Sequence, residues 1–291
     1  EVKMTGMNIG FVGLGDMGGP MAKNIAKSST LVVYDKAGTS SRAPEGATAL
    51  EDLADVARNA ETIFLSVPDG AVSISIIEEL SAQEDRITRC VVDLSTTGMD
   101  ASREAWEIAD AAGIIYIDAP VSGGQAGARA GTVSLMWAGP ETEMTRHQDV
   151  LKSFTGNVFH VGDKAGQGQA LKVLNNFLSG TALVATSEAV LFGMSQGLDM
   201  KVMLDVINVS TGQNTASRDK FPARIMTETY DAGFKTALEA KDVRLYMDAL
   251  TRAGTPGRVS KLVSDIWNEC DEALPGSDFT RIYDYIRDNK E

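Results

Sequence analysis

The segment Gly10–Asp35, GFVGLGDMGGPMAKNIAKSSTLVVYD, constrains this 291-residue chain more than any other. It reads as a short apolar strand from Asn8 to Val12, a glycine turn, a helix, a second strand from Leu31 to Tyr34, and one acid, Asp35. The turn Gly13-Leu14-Gly15-Asp16-Met17-Gly18 has the spacing G-x-G-x-x-G. Each glycine has a physical reason. Gly13 permits the tight turn, Gly15 lets backbone approach a pyrophosphate, and Gly18 lets the helix pack closely on the strand. The helix N-terminus adds N–H groups and a positive dipole end for phosphates. Pro20 suits the first helical turn, where its missing N–H costs nothing.

Asp35 lies 22 positions past Gly13, near the distance at which an acid grips an adenosine ribose. A carboxylate there accepts the 2′-hydroxyl of NAD and repels the 2′-phosphate of NADP. The neighbouring Lys36 softens that repulsion, so NAD is the expected cofactor with NADP a possible substitute.

The length suits two domains. The net charge of −13 argues against nucleic acid and anionic membranes as partners. No apolar run is read as long enough to span a bilayer. The N-terminus lacks a basic start followed by an apolar stretch, Glu1 is not a native start, and a cytoplasmic location is expected. Cys90 and Cys270 form neither a disulfide framework nor a metal-ligand spacing. No metal is expected: His147 is placed on a helix surface and His160 at a strand end, both far from the motifs.

The first half alternates strands (63–67, 90–94, 114–117, 133–138 and 157–161) with helices (72–80 and 101–111). This pattern predicts a doubly wound, mostly parallel α/β sheet of the Rossmann type with ligands at the strand C-terminal ends. After Gly166 the character changes. Residues 170–194 read as one long helix, apolar around most of its surface, and further helices follow at 201–209, 221–229, 238–253 and 259–269. The expected division is a dinucleotide-binding Rossmann domain over 1–162 and a helical substrate and oligomerisation domain over 163–291. The long inter-domain helix opens the second.

Three more segments stand out. Asp118-Ala119-Pro120-Val121-Ser122-Gly123-Gly124 can aim a hydroxyl and bare backbone N–H groups at an anion. In Gly166-Gln167-Gly168-Gln169-Ala170-Leu171-Lys172-Val173-Leu174-Asn175-Asn176, Lys172 and Asn176 are four apart and share a helix face among apolar and small residues. In Phe234–Val243, Lys241-Asp242 reads from the residues alone as a solvated helix start.

In this order, together with Phe11–Met21, these segments resemble the β-hydroxyacid dehydrogenase family, the 3-hydroxyisobutyrate dehydrogenase-like enzymes, over nearly the whole chain. The resemblance implies that Lys172 is catalytic. It implies that Ser122, Gly123 and Gly124 bind the substrate carboxylate, Asn176 places the substrate, and Phe234 forms part of its wall. It implies that Thr96 lies near the nicotinamide ribose, Val67 and Pro68 near the middle of the cofactor, and Lys241 toward nicotinamide and substrate. One departure is Met99, where many members carry proline, and a small change in loop rigidity is expected from it.

The expected chemistry is reversible hydride transfer between NAD and a small β-hydroxy acid, with Lys172 as general acid and base. An ordinary lysine titrates near ~10.4, so this role calls for burial and a cationic neighbour. Reduction of small semialdehydes, succinic or tartronate, is the alternative within the family. An imine reductase is disfavoured by Lys172, and a non-catalytic dinucleotide sensor or scaffold is the remote alternative. The loops around Gln213, Asn214, Arg218 and Phe234 are expected to line the far part of the substrate site, with Asn214 and Arg218 either binding a second polar or anionic group or serving as helix caps and surface decoration. A homodimer or homotetramer is expected.

Overall fold

A computed structural model describes residues 7–289; the expectations about the N-terminus fall on residues 1–6, outside them. The chain divides into two compact units, one reaching to Lys172 and the other starting at Val173.

The first unit contains β1 (Ile9–Val12), α1 (Gly18–Ala26), β2 (Leu31–Tyr34), β3 (Ala47–Ala49), α2 (Leu53–Asn59), β4 (Thr62–Leu65), α3 (Gly70–Ser81), β5 (Cys90–Asp93), α4 (Met99–Ala111) and β6 (Ile115–Asp118). It continues through β7 (Val121–Ser122), α5 (Gly124–Ala130), β8 (Val133–Ala138), α6 (Glu141–Arg146), α7 (Gln148–Phe154), β9 (Thr155–Gly162) and the start of α8 (Gln167–Ser195). The strands form one sheet in the order β3-β2-β1-β4-β5-β6-β8-β7, with β9 paired to β8. The first six are parallel, β8 runs antiparallel to β6 and β7, and β9 is parallel to β8.

The alternation of side chains along each strand builds two cores. Ile9, Phe11, Phe64 and Val92 face one layer with Met21 and Ile25 of α1 and Phe154 of α7. Val12, Ile63, Leu65 and Val91 face the other with Val56, Ile77, Leu80, Ala105 and Ala109. A period of two therefore covers both sheet faces with helices. The order reverses at β1, where the chain goes outward first to β2 and then back to β4. In open parallel sheets that crevice, at the C-terminal ends of the strands, is where ligands bind.

The second unit continues α8 and adds α9 (Met200–Ile207), a π-helix (Ala216–Ile225), α10 (Thr236–Ala253), α11 (Arg258–Ala273), a 3₁₀ turn (Phe279–Arg281) and α12 (Ile282–Asp288). Its core joins Phe177, Leu183, Val190, Phe221, Val243, Trp267 and Phe279. Gly180 sits mid-helix, where glycine ordinarily costs about 1 kcal/mol against alanine. A Cβ there would overlap Glu239 Oε1 and lie 2.9 Å from Trp267 Nε1, so its absence admits both side chains.

Two expectations need correction. The helix read at 221–229 starts earlier, at Ala216, and is a π-helix containing Pro222. Pro222 supplies no N–H, and the Met226 amide instead donates across five residues to Phe221 O at 2.9 Å. The second concerns α8, which by length and composition is apolar enough to cross a membrane. Its Phe177, Leu183, Val184 and Val190 are spent on the core of the second unit. Its Asn176, Thr186 and Ser187 are buried polar groups with protein partners.

Candidate active site

The glycine turn between β1 and α1 is held from both sides. A Cβ on Gly13, whose φ is +93°, would overlap Ser66 O, and one on Gly18 would overlap Gly13 O. At Gly15 a Cβ would meet nothing within 4 Å, so the missing side chain leaves open space over the turn. Asp35, at the end of β2, accepts Leu14 N–H at 2.6 Å and Ala37 N–H at 2.8 Å. These bonds fix its carboxylate beside the turn and use the Leu14 amide. Asp16 is exposed and Met17 half-buried. This cradle has the shape and the donors that a dinucleotide needs.

At the neighbouring strand ends a polar network fixes the loops. Ser95 Oγ accepts Val67 N–H at 2.9 Å and so ties the Val67-Pro68 turn to the loop after β5. Asp93, fully buried, accepts bonds from Ser73 Oγ and from Tyr116 Oη at 3.1 Å, and its Oδ1 accepts Ser95 N–H at 2.9 Å. Burial pushes the Asp93 carboxyl above its ordinary range against these bonds. Asp118 ends β6. Its Oδ2 accepts Gly166 N–H at 2.9 Å and Gln169 N–H at 3.1 Å, which caps the first turn of α8. Burial pushes its carboxyl up to about 6, opposed by the Gln169 bonds and raised further by Asp93. Thr96 is half-buried between Ser95 and Thr97, both buried.

Ser122 stands in β7 opposite Ser134 of β8, and Gly123 and Gly124 are exposed with φ of +134° and +61°. The start of α8 lies directly on this segment. A Cβ on Gly168 would come within 2.8 Å of Asp118 O and 2.9 Å of Pro120 Cδ. Lys172 follows one turn later on the same helix face, 8% exposed.

The second unit contributes a separate constellation. Asn176 Nδ2 donates to Asp242 Oδ2 at 2.6 Å, and Lys241 Nζ lies 3.2 Å from Asp242 Oδ1. Asp242 is 2% exposed, so the reading of Lys241-Asp242 as a solvated helix start is overturned: α10 begins five residues earlier, and this turn faces the interior. Phe234 packs edge-on against Phe279, with ring centroids 5.6 Å apart, at the border of the second unit's core. Asn214 Oδ1 accepts the Ala216 and Ser217 amides, and Arg218 pairs with its neighbour Asp219. Capping and surface decoration thus describe these two.

Sequence reasoning missed Asp118, Gln169 and Asp242 as site residues, although each lies inside or beside a quoted motif. Their burial, which the sequence did not mark, is what sets them apart. His147 is also corrected. It is fully buried, not on a surface, with its ring nitrogens 2.9 Å from Thr62 Oγ1 and 2.7 Å from Glu143 O. Burial lowers its pKa. Among the described residues it gathers with Cys90 and Glu143, ligand atoms within 4.8 Å of one another. Both ring nitrogens are already engaged by protein, and burial pushes the Cys90 thiol up, which favours a neutral polar cluster over a metal site. His160 lies in β9, its Nε2 3.0 Å from Gly139 O.

Known proteins share this architecture and sequence. Residues 8–162 match the profile of the NAD binding domain of 6-phosphogluconate dehydrogenase. Residues 166–286 match that described as NAD-binding of NADP-dependent 3-hydroxyisobutyrate dehydrogenase. The chain is 33% identical over 298 residues to 3-hydroxyisobutyrate dehydrogenase of Pseudomonas aeruginosa, covering 96% of this chain and 98% of that one. It is 32% identical over 269 residues to 2-(hydroxymethyl)glutarate dehydrogenase of Eubacterium barkeri, covering 90% and 88%. The structure of Mycobacterium tuberculosis 3-hydroxyisobutyrate dehydrogenase with L-serine superimposes with a TM-score of 0.89 at 29% identity, over 97% of this chain and 99% of that one. With two nucleotide-binding profiles and relatives matched along nearly their full length, the chain belongs to the 3-hydroxyisobutyrate dehydrogenase family of NAD(P)-dependent oxidoreductases acting on CH–OH groups.

Proposed function

We propose that the chain oxidises a small β-hydroxy acid of the 3-hydroxyisobutyrate kind with NAD, Lys172 serving as general base. One observation carries the role of Lys172. Its amine stem rises from a buried face of α8, one turn beyond Gly168, which abuts Pro120 and Asp118 beside the Ser122-Gly123-Gly124 loop. The relative solved with L-serine, itself a β-hydroxy acid, supports the substrate class.

NAD, when bound, supplies the hydride acceptor. Gly13 to Gly18, Asp35, Val67, Pro68, Thr96 and Lys241 are the residues assigned to hold it. Ser122 and the Gly123 and Gly124 amides hold the substrate carboxylate, and Asn176, oriented by Asp242, holds the hydroxyl. In oxidation Lys172 Nζ accepts the hydroxyl proton, and in reduction it returns that proton to the carbonyl oxygen. Because the groups serve both directions, semialdehyde reduction uses the same residues, and rates measured both ways identify the favoured one. The fixed Asp35 carboxylate supports NAD over NADP.

Exposed apolar residues of the second unit, among them Leu178, Phe192, Val202, Val206 and Leu262, support a homo-oligomer, which light scattering tests. The deciding experiment for Lys172 is Lys172→Ala. Loss of about 10²–10⁴-fold in kcat with NAD binding retained is expected; near wild-type turnover refutes the assignment.

A further inference from the structure

Gln169 is fully buried, and its carboxamide is used to capacity. Oε1 accepts the amides of Thr97 at 2.9 Å and Gly98 at 3.1 Å. Nε2 donates to Ser95 O at 3.0 Å and to Asp118 Oδ1 at 2.7 Å. Three of these partners flank Thr96 in the loop after β5. The fourth ends β6, two residues before Pro120, and its other oxygen caps the first turn of α8. Lys172 stands three residues further along that helix. A single planar group thus joins the loop assigned to the nicotinamide ribose to the helical turn assigned to proton transfer.

No other side chain of this size does the same. A carboxamide offers two donors and an acceptor with two lone pairs in one rigid plane. Glutamate would set an acceptor against Ser95 O and against the Asp118 carboxylate. Methionine fills the volume but leaves Thr97 N–H, Gly98 N–H, Ser95 O and Asp118 Oδ1 without this partner. These bonds also lie apart from the turn at Gly13–Gly18 and from Asp35, so the glycine turn and its acid are built without them.

We propose that Gln169 is a positioning residue for hydride transfer: its carboxamide fixes the register between the Thr96 loop and the turn of α8 that carries Lys172. The proposal rests on the reading of Lys172 as the acid–base group. A displacement of about 1 Å between reacting groups can cost roughly 10²-fold in rate. A residue that merely held the fold together would lower the melting temperature and leave chemistry unchanged in the molecules that remain folded.

The test compares Gln169→Met, Gln169→Asn and Lys172→Ala with the wild type. Rates are expressed per mole of bound NADH, so that unfolded molecules drop out. The substrate is 3-hydroxyisobutyrate, with hydrogen or deuterium at its carbinol carbon. For Gln169→Met the expected result is a kcat lowered about 100-fold, NADH affinity and substrate KM within about threefold of wild type, and a larger deuterium isotope effect as hydride transfer becomes limiting. Gln169→Asn, which keeps the amide one methylene short of its partners, should fall between. The proposal is overturned if both variants turn over within about threefold of wild type with an unchanged isotope effect. It is equally overturned if neither binds NADH, because the amide then belongs to the cofactor cradle. A silent Lys172→Ala beside a normal Gln169→Met removes the positioning role alone. An active Lys172→Ala removes the reading beneath it.

Discussion

The turn at Gly13–Gly18 in the first unit and the Asn176–Asp242–Lys241 group in the second are assigned different parts of one proposed reaction, and they are built on opposite principles. The turn works by absence. Gly13 and Gly18 leave out side chains so that backbone can close on backbone, and Gly15 leaves out one so that space stays open. The group in the second unit works by presence, with a buried carboxylate that orients an amide on one side and meets an ammonium on the other. Backbone shape tolerates no added atom, whereas a side-chain relay tolerates replacement at a graded cost. The contrast predicts how each region should fail.

The largest effect is expected at Gly18. Its Cβ has to displace the Gly13 carbonyl, so Gly18→Ala should lower stability by about 1–3 kcal/mol, the usual cost of overpacking, and abolish measurable NAD binding. Gly15→Ala sharpens the point. It should melt like wild type and still bind NAD poorly, because the methyl group enters only the open space. Calorimetry and NADH fluorescence titration separate the two; a Gly15→Ala protein that melts early would break the distinction.

Asp242→Ala comes next. It leaves a buried Asn176 amide without its 2.6 Å acceptor, a loss of about 1–3 kcal/mol or roughly 10- to 100-fold in kcat/KM for the hydroxy acid. Steady-state kinetics at saturating NAD check this. An unchanged kcat/KM would reduce Asp242 to a packing residue and erase the comparison.

The smallest effect is in the pH profile. The Asp118 carboxyl, pushed up to about 6 mainly by burial, faces the Gly166 and Gln169 amides and the Gln169 carboxamide, with Asp93 nearby. Below that pH it takes a proton where three N–H donors point, so kcat should decline by about tenfold from its plateau to pH 5. Stability runs the other way. The folded-state pKa lies above the unfolded value of roughly 3.9, so the native state binds more protons in the window between them. The contribution of this group to stability is therefore full below about 4, is lost as pH rises through about 6, and stays level above that. An acid limb of kcat near 6 that is unmoved in Asp118→Asn would assign that limb to another group.

Much of the first unit is legible in sequence because its signals are local. The short, mostly apolar runs of Ile9–Val12 and Thr62–Leu65, buried at every residue, and the glycines that follow β1 act over a few residues and read the same in any context. Helix ends are also local where a cap is present: Asp69 accepts Val72 N–H, so α3 starts at Gly70, two residues before the first apolar signal at Val72. The same reasoning fails at Ala216–Ile225, where Pro222 and the wider hydrogen-bond spacing have no simple periodic trace.

What the sequence by itself determined is the doubly wound sheet, the helical second half, the glycine turn followed by Asp35, and a lysine set in a long, mostly apolar helix. What only the tertiary structure decided is which polar groups leave water together. His147 against Thr62, Asp118 against Gln169, and Asn176 against Asp242 are separated by 85, 51 and 66 positions. The reason is physical. Periodicity reports which face of an element is buried, but the partner that makes burial of a carboxylate or an amide tolerable is chosen by packing across the fold, and spacing along the chain carries no record of that choice.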